Sequence, residues 1–499
     1  MDTTQTNPRR LASIALAAFV ALTALAATAL PARAANSGLN LRGDWAAPAA
    51  IADVQALHPA WVRIFLGWYA VEPRRGVIDT SQLDYLARGF SELPAGTKIV
   101  VDVVGTPAWA TADGSTNVAS PPRHVSDYAR FVAALAQRFK GVVEAWEIWN
   151  EEDSNPYWLG TVPEFVALLR AAYPAIKAAD PNAQVVIGGL VGNNSGFLSA
   201  LYDAGARGSF DTVALHTDTG CLTRAPGDYV RDPNGQINRY SFLAYRGVRL
   251  VMVAHGDGAK RILMTEFGWD ATASICNQGG FAGQKPAGVS EADQASNLLA
   301  AYHCLAQDSY IEGAIWFQYR DQNSGPYDHM GLLRVDGSRR PVFDAFQSYT
   351  TNGDQLTSPC GNFTGPLITI LKPTTQSRYA GPLLIDVSAT SPAGVRRLTL
   401  LCDGKKIRNF TDASAPTILS GKINWMGAKH LALGSHTIVV QALDPQRNVS
   451  QVSVVVLHVL ATSSRATHGS HHTTTTGKHK PKHKPKPKPK HKPKPRKHH

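Results

Sequence analysis

After its N-terminal region, the chain of 499 residues lacks any long apolar run, so we expect no later segment to cross a bilayer. Residues 1–34 do contain such a run. Arg9 and Arg10 precede an Ala- and Leu-rich stretch at 11–30, and Ala32-Arg33-Ala34 fits a small-x-small cleavage pattern. This pattern predicts a secretory signal peptide, with an uncleaved membrane anchor as the alternative. Either the general secretory or the twin-arginine route would suit the arginine pair.

Cysteine is also scarce, with five in the whole chain. In an exported protein this number allows two disulfides and one free thiol. We expect Cys221 to pair with Cys276, because both follow predicted strands at the same end of the fold. Cys304 and Cys360 could form a second bridge. Cys402 ends an alternating apolar run, which predicts a buried free thiol.

Acidic residues are absent from the C-terminal end. The formal net charge is +12, and residues 478–499 supply +11 through ten lysines and Arg496, which leaves +1 (12 − 11) for the rest. Alternating proline and like charges exclude a helix, so we expect residues 461–499 to be disordered. This tail could bind an anionic cell-wall polymer or a membrane surface, or simply be solvated without a fixed partner. Export makes a nucleic-acid partner unexpected, and we expect a monomer.

The chain also lacks metal-ligand spacing, so we expect no metal and no cofactor. No glycine-rich phosphate loop follows the first predicted strand, which argues against a doubly wound sheet. Instead, apolar β-type runs alternate with amphipathic helical runs over residues 35–350. The predicted strands are 39–43, 61–68, 97–105, 143–151, 183–190, 210–217, 261–270 and 311–320. The predicted helices include 125–140, 162–179 and 290–307, the last capped by Ser290. This order predicts a (β/α)₈ barrel, an α/β fold.

Two short strings carry the chemistry: WEIWNE at 146–151 and MTEFGW at 264–269. They place Glu151 and Glu266 at the ends of the fourth and seventh predicted strands, where barrel enzymes carry their active sites. A pair of carboxylates is what glycosidic hydrolysis requires. The two groups stand about 5–5.5 Å apart in retaining enzymes and about 6.5–9.5 Å apart in inverting ones.

Those strings, together with Val71-Glu72-Pro73 and Thr106-Pro107-Ala108-Trp109, resemble the clan A retaining glycoside hydrolases, in particular family 39 or a family 5-like relative. The resemblance implies that Glu151 is the acid/base and Glu266 the nucleophile. It implies further roles for three other residues. Asn150 would bond the sugar 2-hydroxyl, Arg63 would keep Glu266 ionised, and Trp316 would form the floor of the sugar subsite.

The sequence departs from that pattern at two places. Glu152 and Asp153 follow the acid/base where proline is common, and we expect them to form an exposed turn rather than to contact substrate. The run His216-Thr217-Asp218 lacks the aromatic residue that often bonds the nucleophile, which puts the positioning of Glu266 in doubt. His216 is either a substrate contact or a structural hydrogen-bonding group.

Other residues near the two glutamates allow more than one interpretation. Trp316 either forms the floor of the subsite or packs in the core, and Trp109 and Trp269 either contact sugar or pack at the rim. Glu147 is expected to be a buried ion-pair partner.

The composition of residues 351–366 predicts a linker. Predicted strands at 383–387, 397–402, 436–442 and 451–459 then suggest an immunoglobulin-like sandwich over 367–460, resembling small bacterial modules attached to secreted hydrolases. Its role would be a spacer or carbohydrate binding. The whole chain is thus expected to be a secreted retaining glycosidase acting on β-linked oligo- or polysaccharide. The alternative is a catalytically silent barrel that binds glycans or serves as a cell-wall-associated structural protein.

Overall fold

The computed structural model describes residues 36–218, 225–228, 237–272, 288–322, 329–357, 360 and 365–460. Eight parallel strands close into a barrel in sequence order, with the first strand pairing with the last, so the predicted (β/α)₈ barrel is confirmed. The strands are β1 Ser37–Leu41, β2 Trp61–Gly67, β3 Lys98–Val104, β4 Ala145–Ile148, β5 Gln184–Val191, β6 Thr212–Asp218, β7 Arg261–Gly268 and β8 Ile311–Trp316.

Helices cover the outside of this barrel. In chain order they are α1 Pro48–Leu57, α2 Trp68–Val71, α3 Thr80–Glu92, α4 Val125–Arg138, α5 Val162–Ala179, α6 Ser195–Asp203, α7 Tyr245–Ala254, α8 Glu291–Ala306 and α9 Pro341–Asn352. The predicted cap of α8 is present, because the Ser290 side chain accepts from the Asp293 N–H. Helix α5 begins with a reciprocal capping box between Thr161 and Glu164. Among the described residues, no helix combines the length and apolarity needed to span a bilayer.

The barrel interior changes character along its axis. A lower layer is apolar and consists of Trp61, Val100, Ala145, Val186, Ala214, Leu263 and Ile315. Further along the same strands towards their carboxyl ends, the buried residues are Arg63, Asp102 and Glu147. Barrel interiors are normally filled with branched apolar side chains. Charged groups that replace them above the apolar layer therefore mark the functional end.

Two strands carry an extra residue next to this polar layer. In β5 the register against β6 shifts between Ile187 and Leu190, at Gly188 and Gly189. In β7 the register against β6 shifts so that His216 lies opposite Glu266 rather than Thr265. Such irregularities re-aim side chains beside active sites.

Antiparallel sheets follow the barrel and bury a hydrophobic cluster of their own. One sheet has the order β10-β16-β15-β12-β13 and the other β14-β11-β9. The strands are β9 Leu367–Lys372, β10 Arg378–Tyr379, β11 Leu383–Thr390, β12 Arg397–Cys402, β13 Lys405–Thr411, β14 Ile418–Trp425, β15 Gly434–Leu443 and β16 Val449–His458. The immunoglobulin-like classification and the domain boundaries stay predictions.

The cysteine predictions have separate outcomes. Cys304 in α8 is bonded to Cys360, with their Cα atoms 4.9 Å apart, so that pairing is confirmed. Cys402 is a buried free thiol, also as predicted. The proposed Cys221–Cys276 pair lies outside the described residues, as do the signal peptide and the basic tail.

Candidate active site

Arg63 is the centre of the polar layer. Its Nε donates to Glu147 Oε2 and its Nη1 to Glu266 Oε1, each at 2.6 Å. Its Nη2 donates to Asp102 Oδ2 at 3.0 Å and to Asn150 Oδ1 at 2.9 Å. Burial disfavours the charge on Arg63, but the three carboxylates outweigh burial and raise its pKa further. One permanent cation thus gathers side chains from β3, β4 and β7, and the prediction of Glu147 as a buried ion-pair partner is confirmed.

Glu266 is aimed by the extra residue in β7. Thr265 turns its hydroxyl to Glu147 Oε1 at 2.9 Å, and Glu266 turns its carboxylate to Arg63. The Glu266 side chain is 8% exposed, so it is nearly but not fully enclosed. Since the neighbouring guanidinium favours the ionised form, this carboxylate has the contact that a nucleophile requires.

Glu151 follows β4 in a strained backbone. Its φ is 48°, and that of Trp149 is 71°, in the left-handed region that side chains other than glycine rarely adopt. Such strain is concentrated at functional sites. Burial raises the pKa of Glu151 to about 7, and the negative charge of Asp153 adds to this effect while Arg63 opposes it. A carboxyl group with that pKa can carry a proton near neutral pH and release it, as a general acid/base must.

His216 lies between the two glutamates. Its Nδ1 is 2.9 Å from Glu151 Oε1, and its Nε2 is 3.7 Å from Glu266 Oε1. One carboxylate oxygen from each glutamate and a ring nitrogen of His216 all lie within 4.8 Å of one another. This closeness favours the shorter carboxyl separation of a retaining pair over that of an inverting pair. A small cation would also find three ligands here, so the expected absence of a metal stays a prediction.

The glycines of β5 make room for this arrangement. A Cβ on Gly189 would lie 2.0 Å from His216 Nε2, and a Cβ on Gly188 would lie 2.2 Å from Glu152 Oε2. Both distances are far shorter than any tolerated contact. The side chains of His216 and Glu152 therefore occupy the space that side chains at 188 and 189 would fill.

The expectation that Glu152 and Asp153 form an exposed turn is wrong. Glu152 is 2% exposed, and neither of its carboxylate oxygens has a hydrogen-bond partner among the described residues. Burial, with the charge of Asp153, raises the pKa of Glu152 well above its usual value. Asp153 accepts from Val191 N at 3.0 Å and from Asn194 Nδ2 at 2.6 Å. Asp153 thus anchors the loop after β4 to the end of β5 and to Asn194 just beyond it.

Asn150 is 2% exposed and bonds Arg63 through its side-chain oxygen. That bond fixes the orientation of the amide beside the two glutamates. The contact of Asn150 with a sugar 2-hydroxyl stays a prediction.

The three tryptophans named from the sequence are packed rather than open. Trp316 and Trp269 have no exposed surface and lie ring against ring, 6.2 Å between centroids. Trp316 Nε1 donates to the Met330 carbonyl. Trp109 is partly buried, donates to the Glu72 carbonyl at 2.8 Å and meets Trp68 edge-on. Because no open ring face is available on Trp316 or Trp269, their role as sugar platforms depends on movement and stays a prediction.

Sequence reasoning missed Asp102, Thr265 and Tyr157. Asp102 could have been found as the one acid in the valine-rich run of β3. Tyr157 is 39% exposed, and burial together with the charges of Glu151 and Glu266 raises its pKa to about 12. Its partial exposure, in the loop that follows β4 and six positions after Glu151, makes it a candidate substrate contact.

A separate cavity of about 330 Å³ lies between α7 and the antiparallel sheets. It is lined by residues such as Arg246, Asp308, Tyr310, Pro392 and Ile418. None of the predicted site residues lines it, so it has no part in the chemistry considered above.

No family model matches the chain. Among solved structures, a family 39 glycoside hydrolase from the gut symbiont Bacteroides cellulosilyticus WH2 is similar, with 17% identity and a TM-score of 0.52 over 78% of this chain and 79% of that chain. A glucosidase from Croceicoccus marinus has 15% identity and a TM-score of 0.47, covering 78% and 93% of the two chains. A family 39 β-xylosidase from Caulobacter crescentus has 13% identity and a TM-score of 0.45, covering 82% and 95%.

The first of these likenesses confirms, at the level of the fold, the resemblance to family 39 glycoside hydrolases that the sequence predicted. At such identities a shared fold does not establish a shared reaction or substrate.

Proposed function

We propose that this protein is a secreted retaining glycoside hydrolase. The observation that carries the proposal is the pair formed by Glu151, with a pKa of about 7, and Glu266, held by Arg63, with oxygens within 4.8 Å. Their surroundings separate their roles, because burial favours the protonated form of Glu151 while the Arg63 guanidinium donates to Glu266. The similarity in fold to a family 39 glycoside hydrolase supports the same proposed function.

The proposed reaction has two displacements. Glu266 attacks the anomeric carbon while Glu151 gives its proton to the leaving oxygen, which breaks the glycosidic bond and forms a glycosyl ester on Glu266. Glu151, now a carboxylate, takes a proton from water, and that water breaks the ester and releases the sugar. Glu151 has then regained its proton and Glu266 its charge, so the enzyme is restored.

The decisive experiment measures hydrolysis of a panel of p-nitrophenyl glycosides and polysaccharides by wild type and Glu266→Ala. We expect turnover that collapses in the variant and is partly restored by azide, which takes the place of the missing nucleophile. Glu92→Ala, at an exposed position, is the matched control and should be unchanged. Wild-type inactivity over the panel, with glycan binding unchanged by Glu266→Ala, would instead support the silent glycan-binding barrel.

The acid/base role has its own signature. Glu151→Gln should slow cleavage of substrates with poor leaving groups by roughly 10²–10⁴-fold. A p-nitrophenolate leaves without protonation, so the first displacement should then be much less affected. An equal loss for both kinds of substrate would contradict the assignment of Glu151 as the acid.

Export and attachment belong to the same proposal. The N-terminal sequence at 1–34 and the Cys304–Cys360 disulfide support an oxidising destination. Mass spectrometry of protein from the culture medium should find a chain that begins at Ala35.

The basic tail is proposed to bind an anionic cell-wall polymer. Replacing its lysines by glutamine should release the full chain from such a polymer, and so should added salt.

A further inference from the structure

A row of polar side chains interrupts the inner face of the five-stranded antiparallel sheet at one end. Along β15 the buried positions Ile438, Val440 and Ala442 are apolar, and His436 continues the same row. Along β12 the alternating buried positions end at Cys402, which is 4% exposed. A sheet face that packs against a core normally continues with apolar residues. Two groups that can ligate metals occupy these positions instead.

The side chains of Cys402, Asp403 and His436 converge. One potential ligand atom from each lies within 4.8 Å of the others. His436 Nδ1 is 2.7 Å from Asp403 Oδ2, and His436 Nε2 lies 2.8 Å from the Ala432 carbonyl. The carbonyl can only accept, so Nε2 carries the proton and Nδ1 is the atom that faces the cluster. Metal-binding histidines are oriented in this way, by donating the other ring N–H to a backbone carbonyl or carboxylate.

A fourth polar group next to the cluster has no partner. The hydroxyl of Tyr379 is buried without a hydrogen bond among the described residues, and the residue is 8% exposed. Tyr379 lies opposite His458 in the sheet, and His458 lies opposite Gly434, two positions before His436. Burial raises the pKa of Tyr379, and Cys402 and Asp403 raise it further. A buried hydroxyl without a hydrogen-bond partner is unfavourable. A ligand that interacts with the Tyr379 hydroxyl would therefore stabilise this end of the sheet.

We propose that Cys402, Asp403 and His436 bind one zinc ion or a cation of similar character, with water or the Tyr379 hydroxyl as the fourth ligand. The mixture of sulfur, nitrogen and oxygen suits zinc and disfavours calcium and magnesium, which prefer oxygen alone. Tetrahedral zinc with bonds of about 2.0–2.3 Å separates its ligand atoms by about 3.3–3.6 Å. The contact between His436 Nδ1 and Asp403 Oδ2, at 2.7 Å, would open by less than about 1 Å to reach that separation.

Proton balance sets the pH dependence of binding. The ion replaces the thiol proton of Cys402 and the proton shared between His436 Nδ1 and Asp403, so two protons leave for each ion bound. Affinity should thus increase with pH. The Asp403 side chain is 46% exposed, which gives the ion a route from solvent.

The test uses the full chain under reducing-agent-free, anaerobic conditions with Co²⁺ as the probe. Tetrahedral cobalt bound to thiolate gives a near-ultraviolet charge-transfer band, whereas histidines alone do not. The tail beyond residue 460 contains no cysteine, so metal bound there cannot produce the band. We expect one Co²⁺ with a thiolate band that Zn²⁺ abolishes, and a higher unfolding temperature when Zn²⁺ is present.

Three variants decide the assignment. Cys402→Ser should lose the band, and His436→Gln should weaken Co²⁺ binding by roughly tenfold or more. His430→Gln, at an exposed position in the short 3₁₀ helix Met426–His430 between β14 and β15, is the matched control and should bind as wild type does. Circular dichroism checks that each variant is folded. If Cys402→Ser does not fold, the difference in Co²⁺ binding between His436→Gln and His430→Gln tests the site instead. A band that persists in folded Cys402→Ser overturns the proposal, and so does binding without any thiolate band, which would mean that ligands other than Cys402 hold the metal.

Discussion

Replacing Arg63 by methionine tests whether one guanidinium holds the carboxylates of the active site together. The side chains of Arg63, Glu147 and Asp102 have no exposed surface, and Glu266 is 8% exposed. Methionine keeps much of the apolar length but removes the charge. Breaking buried ion pairs in this way destabilises a protein by about 3–5 kcal/mol. That is a large part of the roughly 5–15 kcal/mol by which folded proteins exceed their unfolded states.

The loss should depend on pH in a definite direction. Burial raises the pKa of Asp102 well above its usual value and Arg63 opposes that rise, so removing Arg63 raises the pKa of Asp102 further. Groups shifted in this direction contribute stability at low pH and lose it as the pH rises through the folded pKa. The difference in stability between wild type and Arg63→Met should therefore be larger at about pH 8 than at about pH 5.

Urea unfolding followed by tryptophan fluorescence at both pH values measures this difference. Arg75→Met is the matched control, because Arg75 pairs with Asp127 at 2.7 Å but its side chain is 66% exposed. An exposed pair of this kind contributes only about 0–1 kcal/mol. A loss below about 1 kcal/mol for Arg63→Met, or the same loss at both pH values, would refute the reasoning.

Other changes have equally defined outcomes. Asp153→Asn removes a charge that helps raise the pKa of Glu151 to about 7, so the alkaline limb of kcat/KM should move to lower pH, and an unmoved limb would contradict this. Cys304→Ser opens a bridge across 56 positions, for which loop-closure entropy gives about 4 kcal/mol of lost stability. Urea unfolding checks that value, and a negligible loss would contradict it. Gly189→Ala forces His216 away, so kcat/KM should fall roughly 10²-fold with the fold intact by circular dichroism, and wild-type activity would show that His216 is dispensable.

The barrel could be predicted from the sequence because its strands are apolar runs of regular spacing. Glu151 follows the fourth strand, and Glu266 lies near the end of the seventh. The sequence predicted only part of the set of side chains that bond Arg63. Asp102 lies 39 positions from Arg63 and Glu266 lies 203. Only the closed barrel brings them to one guanidinium.

The errors and omissions have physical reasons. Glu152 and Asp153 looked like a solvated turn, but their surroundings come from β5, some 40 positions later. Among the later strands, β13 (Lys405–Thr411) was missed because it is a charged edge strand whose residues are mostly exposed and show no apolar alternation. In both cases contacts distant in the sequence, not local pattern, decide the outcome.

The shared guanidinium also bears on how the chain folds. Arg63 contributes to β2, while its partners arrive on β3, β4 and β7, at separations of 39, 84 and 203 positions. Contacts across such distances form late and slow the search for the native topology. Until β7 joins the sheet, Arg63, Glu147 and Asp102 lie in an incomplete barrel that is still accessible to water. At that stage Glu266 does not yet bond Arg63. We therefore expect no partly folded intermediate to be catalytically competent, so that recovery of activity during refolding should lag behind recovery of secondary structure.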